Sequence, residues 1–576
     1  MAMNDKQLTG YPSIDKPWLK YYSEDLTDVP LPKQTLYECV YAANKDYPDD
    51  YAFNYFGKRI TYGTFFKNVD NAAKAFVKLG VKPDDIVTIM GLSSPELFYC
   101  AYALSKIGAV INLISVLAGE KELVDYLEEA HSKVFVALDL FNEKVIAALP
   151  HTHVDTVVNI SLAESMPLHI KTAFSLKAKV VKHSDFLSWK QFIKLSEGEP
   201  EVTAFKFTPN RFSYLAHTGG TTGTPKGVMI ADENMNGIVQ EYNNIFDHSR
   251  NNRFLNCIVP FVVYGFLINA HVPLSLGIEQ IIIPKVEVEK IPSVIINNKI
   301  NFVSAVPPYL ENIYKDKKMT NTDLSFLKVL GAGGDGMTQE LEDKINNVLI
   351  SQGAPNKVMN GYGLSETCAT ASLNHSGNSK GSVGYPLNRN VFSAFDIDTN
   401  EEMKYGEVGE ICVYTPYLML GYLNNAEATN EVVKVHKDGR RWFHTGDLGY
   451  VTEEGAVYIS GRIKRIILTE LDGMVSKIFP DRIEKLLDSH KPVEVSCVVK
   501  SSGDAPTVKL KAYVVLKEKY RSDSDSIETE LREMCRAELP QYSLPSEYEF
   551  IDKMPLTASG KIDFRTLEKM AEGKGE

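Results

Sequence analysis

Cysteine is scarce and scattered: the seven in the chain, Cys39, Cys100, Cys257, Cys368, Cys412, Cys497 and Cys535, never form a CxxC pair. Neither a zinc ribbon nor a disulfide framework reads this way, and a reducing cytoplasm is the expected setting. Positive charge is in deficit, with 62 Lys+Arg against 74 Asp+Glu and a formal net charge of -12. That is the wrong sign for a surface that neutralises phosphates along a nucleic acid. A long uninterrupted hydrophobic run is missing too. The stretch 254–278 lacks Asp, Glu, Lys and Arg, yet Asn256, Pro260, Gly265, Asn269, His271 and Pro273 break it. It predicts a buried core helix with flanking strands, not a membrane span. The opening residues are polar, without a basic segment followed by an apolar one, so no secretory signal is expected. Short-period repeats and low-complexity tracts are absent as well.

What is present is a chain of 576 residues, 44% hydrophobic and 24% charged, enough for a large buried core and more than one structural unit. Between about Pro48 and Pro200, apolar strand-like runs such as 86–90 and 133–137 alternate with helical-period segments such as 64–79 and 95–107. The alternation recurs at 301–305 and 327–330. It predicts an α/β body of βα layers around a largely parallel sheet. From Gly406 the texture changes to short β-rich runs with turns, at 409–414, 442–445 and 456–460, which predict an antiparallel β subdomain. A small α+β unit follows, with helices over 480–487 and 526–538 and strands over 493–499 and 509–516. The expected division is 1–463 for the large domain and 464–576 for a small mobile lid, with Lys464 at the hinge.

Five segments carry candidate chemistry. Thr218-Gly219-Gly220-Thr221-Thr222-Gly223-Thr224-Pro225-Lys226-Gly227 follows a strand-like run. Its glycines let backbone N–H groups converge on phosphate oxygens, its four threonines add hydroxyl donors, and Lys226 adds charge. A Walker A loop it is not, because Pro225 precedes the lysine and Gly227 follows it. In Asn360-Gly361-Tyr362-Gly363-Leu364-Ser365-Glu366-Thr367, Tyr362 offers a ring for a purine and Glu366 a hard oxygen for Mg²⁺, although a turn with Ser365 capping a helix reads equally well. In His444-Thr445-Gly446-Asp447 the carboxylate suits a ribose diol, or simply an Asx turn. Arg462 has forked donors for a ribose or phosphate, and is otherwise a surface arginine. Last, Lys561 sits on a Ser-Gly turn in 555–563, where a mobile cation would offset charge at an α-phosphate.

In this order, the five segments resemble the acyl-adenylate-forming (AMP-binding) superfamily of acyl-CoA synthetases, peptide-synthetase adenylation domains and firefly luciferase, over about Leu36 to Leu567. The resemblance implies ATP, Mg²⁺ and CoA, or a phosphopantetheine thiol, as cofactors and co-substrates. It implies that the 218–227 loop holds the β- and γ-phosphates. Gly334, Asp335 and Gly336, with Asn360, Gly361 and Tyr362, would surround the adenine. Thr218 and Ser365 match phosphate positions, Glu366 the metal position, Asp447 the ribose acceptor, Arg462 the ribose/phosphate arginine and Lys561 the catalytic lysine. No general base is needed, since a carboxylate is already a nucleophile at neutral pH.

Two departures stand out. The segment 468–480 looks several residues longer than the short glycine loop usual there, which leaves the thiol-binding face undefined. At 260–265, Val262 stands where relatives often carry histidine or an aromatic residue, and no aspartate is present to pair an amino acid's ammonium. An unpaired buried ammonium is costly, so an amino acid substrate is disfavoured. Val262, Val263, Tyr264, Val306, Gly331 and Gly333 are the expected walls of an apolar acid pocket. The expected partners are a small carboxylic acid, fatty or aromatic, and CoA. A carrier-protein thiol, a luciferase-type oxidation, a non-catalytic nucleotide sensor and self-association stay open as alternatives.

Overall fold

A computed structural model describes residues 8–218, 226–375, 379–471, 474–502, 508–556 and 562–573. Two large sheets form the body. One has nine strands, and its centre runs parallel through Arg253–Asn256, Phe302–Ala305, Val329–Ala332 and Met359–Tyr362. The other has eight, again with a parallel centre, followed toward one edge by the antiparallel strands Phe212–His217, Gly227–Ala231 and Gly421–Tyr422. The mixed α/β body and smaller C-terminal domain agree with the sequence expectation.

The helix Pro95–Ile107 is buried along its whole length, as its nearly all-round apolar surface requires. Ser94 caps its first turn through Leu97 N–H, and Gly108 closes it at φ 79°, a left-handed position that glycine adopts without steric cost. It packs with Tyr62–Lys78 into one large core that draws residues from both sheets.

The apolar stretch 254–278 forms an edge of this core. It is the strand Arg253–Asn256, a π-helical segment Tyr264–His271, a short helix Val272–Ser275 and the return strand Glu279–Ile282. Among the described residues, no helix is long and apolar enough to cross a membrane. Every cysteine is unpaired, and six of the seven are buried.

The antiparallel subdomain appears, but it begins before the expected Gly406: Val391–Phe395 joins Gly409–Tyr414, Arg441–Val451, Val433–Val435 and Val457–Arg462 in one sheet. The C-terminal unit is a three-stranded sheet, Val493–Ser502, Lys509–Leu516 and Glu547–Phe550, with its own apolar core. The helices Pro480–Asp488 and Ser524–Glu538 flank it; the second begins two residues earlier than periodicity suggests. The long segment after Ile466 is not an open loop. It folds as a two-stranded hairpin, Ile467–Leu471 with Met474–Ile478.

Candidate active site

The four parallel strands of the larger sheet end side by side, and their C-terminal ends deliver much of the predicted site. Open α/β sheets place ligands there because the loops leaving neighbouring strands converge on one crevice. Ala305 leads to Val306, Ala332 to Gly333, Gly334, Asp335 and Gly336, and Tyr362 to Gly363. Gly334 holds φ +83°, and a Cβ on it would stand 3.5 Å from Val306 Cγ1 and 3.8 Å from Tyr264 Cδ1. Gly333 donates its N–H to Ala305 O at 3.1 Å. Asn360 is nearly buried and donates through Nδ2 to Ser382 O, which holds the strand end in place. Gly363 cannot be replaced freely, since a Cβ would lie 1.8 Å from Ala369 O.

Of the loop expected to cradle phosphates, residues 219–225 fall outside the described residues; its base is clear. Thr218 N–H donates to Lys226 O at 3.1 Å, and Lys226 N–H donates to Thr218 Oγ1 at 3.1 Å. With His217 paired to Gly227, Thr218 and Lys226 stand face to face at the ends of the two antiparallel strands. Behind it His217 is buried, with Nε2 against Asn112 Oδ1 at 2.8 Å, and burial pushes its pKa down to about 4. It stays neutral beneath the cradle.

Lys226 lies 4.8 Å from the centre of the Tyr422 ring, and Tyr422 donates its hydroxyl to Glu366 Oε1 at 2.7 Å. Glu366 is buried, and its backbone O accepts from Met419 N–H. Tyr422 therefore ties the predicted metal carboxylate to the neck of the phosphate loop. Sequence reasoning passed over it, because no local pattern marks a tyrosine at a strand end. Ser365 opens a short 3-10 turn beside Glu366.

The third group is held by the antiparallel subdomain. Asp447 is 2% exposed and follows Gly446, whose φ of +72° makes the turn. Tyr362 donates its hydroxyl to Asp447 Oδ2 at 2.5 Å, and Arg462 Nε meets Oδ1 at 2.7 Å. Burial, then the neighbouring carboxylate, pushes the Tyr362 phenol well above its ordinary value, so it remains a donor. Each carboxylate oxygen can accept more than one bond, which leaves Asp447 able to take a diol as well. Glu410 braces the turn: Oε1 accepts from Gly446 N–H at 3.0 Å, and Oε2 is 2.7 Å from His444 Nδ1.

Past Arg462 the chain enters the turn Ile463–Arg465 that carries Lys464. Arg465 anchors the far side, paired with Asp481 at 2.6 Å and Glu484 at 2.5 Å and donating to Val498 O. Lys561 lies outside the described residues.

An apolar cavity opens along the larger sheet, between its strands and the helix Asp232–Ile245. Tyr242, Phe246, Phe254, Phe302, Val329 and Met359 are among its walls, with Gly331 and Ser304 toward the strand ends. Of the six residues expected to line an acid pocket, Gly331 is the one this cavity takes. Tyr264, Val306 and Gly333 cluster beside it, with Tyr264 Oη 2.7 Å from Ser304 Oγ. Val262 packs partly buried against a second core, and Val263 is buried in the main one. The cavity walls come from the helix, from the strand faces and from residues of 272–278, which adjacency to 260–265 could not reveal.

The structure thus brings together the Thr218–Lys226 neck, the buried Glu366 tied to it through Tyr422, the buried Asp447 and an apolar cavity. The family of AMP-binding enzymes matches residues 40–423, and the AMP-binding enzyme C-terminal domain matches 482–561; the chain belongs to this family. It is 29% identical over 563 residues to a long-chain-fatty-acid–CoA ligase of Bacillus subtilis (strain 168), covering 96% of this chain and 97% of that protein. It is 26% identical over 519 residues to a 4-coumarate–CoA ligase of Humulus lupulus, covering 88% of each. The crystal structure of an anthranilate CoA ligase in complex with anthranoyl-AMP superposes with a TM-score of 0.80 at 20% identity, over 95% of this chain and 99% of that one.

Proposed function

We propose that the protein is an ATP-dependent acid–thiol ligase that activates a fatty or aromatic carboxylic acid as acyl-AMP, with release of pyrophosphate, and then passes the acyl group to CoA. One observation supports the reading: the apolar cavity reaches Ser304 and Gly331, one residue before the strand ends that lead to Val306 and to Gly333–Gly336. The names of the relatives agree with it, being acid–CoA ligases for long-chain and hydroxycinnamic acids.

In this reading the acid lies in the cavity with its carboxylate toward Gly331 and Gly333. The open volume is about 30 Å³, so an acyl chain or ring is admitted as flexible walls such as Met359 turn aside. Tyr264 and Val306 border the inner end, while Val262 and Val263 stay in the packed cores. The carboxylate attacks the α-phosphate. One of its oxygens bonds to phosphorus as the bond to the pyrophosphate oxygen breaks, and no proton need be removed first. Thr218, Gly219, Gly220, Thr221, Thr222, Gly223, Thr224 and Lys226 hold the departing phosphates, while Ser365 supplies a hydroxyl. Gly334, Asp335, Gly336, Asn360, Gly361 and Tyr362 hold the adenine; Asp447 and Arg462 hold the ribose. Glu366 is the residue that would hold Mg²⁺: a hard carboxylate oxygen fits that cation, and its tie to Tyr422 sets it at the neck of the phosphate loop. When bound, Mg²⁺ offsets charge on the polyphosphate.

Lys561 stabilises charge at the α-phosphate from the small domain, which pivots at Lys464 with the domain boundary at 463/464. The thiol then attacks the acyl carbon and AMP leaves. The test is pyrophosphate exchange across a panel of carboxylic acids with ATP and Mg²⁺, followed by AMP release on adding CoA or a loaded carrier protein. Exchange with fatty or aryl acids and release with CoA are expected. Absence of exchange with every acid overturns the proposal, and release with a carrier protein alone replaces CoA as the acceptor.

A further inference from the structure

The apolar cavity has a polar end that the ligase chemistry does not use. Three of its lining side chains carry a polar atom of note: Ser304, Tyr242 and His248. Ser304 Oγ is engaged by Tyr264 Oη at 2.7 Å, and the Tyr242 hydroxyl by Thr370 Oγ1 at 3.0 Å. His248 is different. Its Nε2 lies 2.9 Å from Asn243 Oδ1. That oxygen can only accept, so Nε2 carries the hydrogen and Nδ1 is left with a bare lone pair. Nδ1 is shielded from solvent and has no hydrogen-bond partner among the described residues. Burial lowers the pKa of the ring, which keeps the lone pair available near neutral pH.

The placement decides what this acceptor could meet. Phe302, Val329 and Phe254 stand at or near the N-terminal ends of their strands, and His248 lies in the connection that precedes Arg253–Asn256. The nucleotide groups gather at the opposite, C-terminal ends. An acid lying along the strands with its carboxylate at the nucleotide end therefore directs its far end toward His248. Lys328 fixes the neighbouring residue of that connection through Asp247, with Nζ 3.0 Å from Oδ2.

We propose that His248 Nδ1 accepts a hydrogen bond from a hydroxyl at the far end of the acid, so that the enzyme selects apolar acids ending in a hydroxyl, on an alkyl chain or an aryl ring. The inference rests on the ligase reading, since the cavity must hold the acid. A buried acceptor without a partner carries a desolvation cost that a terminal methyl leaves in place and a hydroxyl removes. In a pocket with no acceptor the preference runs the other way, because the hydroxyl alone would then be stripped of water.

The experiment compares kcat/KM for acyl-AMP formation with pairs of acids of equal heavy-atom count ending in hydroxyl or methyl. One set is alkyl over a range of chain lengths; the other is para-substituted aryl. For the wild type, the hydroxyl member is expected to lead by about tenfold in at least one set, and the set in which it leads identifies the body of the acid. His248→Leu should reverse the order. Asn243→Leu, which removes the oxygen that fixes the tautomer but leaves the cavity walls in place, should reduce the lead. A wild type that favours methyl acids in both sets, or a lead that survives His248→Leu, overturns the proposal while leaving the ligase reading intact. Failure of every acid to support pyrophosphate exchange overturns both. If His248→Leu does not fold, the wild-type ratio with Asn243→Leu decides.

Discussion

At the scale of single residues, Asp447 joins a strand end of the large sheet to the antiparallel subdomain. Its carboxylate is almost wholly buried, accepts from Tyr362 and pairs with Arg462, so it is held still before any ribose arrives. Rigid donors and acceptors of this kind spare a site the cost of ordering itself on binding. Asp447→Asn keeps the shape but loses the charge, and a hydrogen bond to a charged group contributes about 1.5–3 kcal/mol. The expected result is a KM for ATP raised by roughly 10- to 100-fold with a smaller change in the KM for the acid, read from steady-state kinetics. An equal rise in both would remove Asp447 from the nucleotide site. The motif around Asp447 was legible in the sequence, because a short carboxylate after Thr-Gly is a local pattern. Its partner Tyr362 was singled out too, but for stacking. Only the fold shows the two joined, since 85 residues separate them in the chain.

At the scale of elements, the site depends on turns that tolerate no side chain. Gly363 leaves the strand Met359–Tyr362 into the Ser365–Thr367 turn, against the backbone of Ala369, which itself holds φ 71°. A methyl group at Gly363 would overlap Ala369 O. Gly363→Ala is expected to destabilise the body by about 1–3 kcal/mol, the usual cost of overpacking, and to weaken ATP binding as Glu366 shifts. Denaturant unfolding of the variant measures the first and pyrophosphate exchange the second. A stable variant that has lost exchange would make Gly363 a ligand-contact position and not a steric one. The hairpin Ile467–Leu471 with Met474–Ile478 was unreadable as such from sequence. Its length was visible, but the pairing of its two arms is a property of strands meeting, not of their composition.

At the scale of the whole molecule, two predictions concern domains and charge. If the small domain rebuilds the site between steps, Lys561 serves one step alone. Lys561→Ala should lower adenylation by about 100- to 1,000-fold yet spare thiol transfer to a supplied acyl-adenylate, as followed by AMP release. Equal loss in both steps would count against a two-position lid. The buried Glu96 concerns stability. Burial raises its pKa from 4.5 to about 7, so between those values the folded chain keeps a proton that the unfolded chain has released. The folded state then binds more protons, and this group's contribution to stability falls as pH rises through the window. His217 and His271 act oppositely, pushed down by burial to about 4 and about 3, which costs stability as pH falls below about 6.5. The difference between wild type and Glu96→Gln isolates the carboxyl. The variant should gain on the wild type as pH rises from about 5 to about 8, by on the order of 1–3 kcal/mol. A difference independent of pH would show that Glu96 does not hold its proton.

The sequence by itself determined the family, the layered α/β body, the antiparallel subdomain and the smaller C-terminal unit. Each is written in local patterns: glycine and threonine at fixed offsets, periodicity of two or 3.6, and changes of texture. The tertiary structure alone decided where the apolar cavity lies and what walls it. The cavity is walled by Tyr242 from one helix, by Phe254, Phe302, Val329 and Met359 from four strands and by residues of 272–278, and no single segment of the chain supplies them all. An apolar residue facing a cavity and one facing the core have the same composition and the same period. They differ only in what stands opposite, and that is settled when the elements pack.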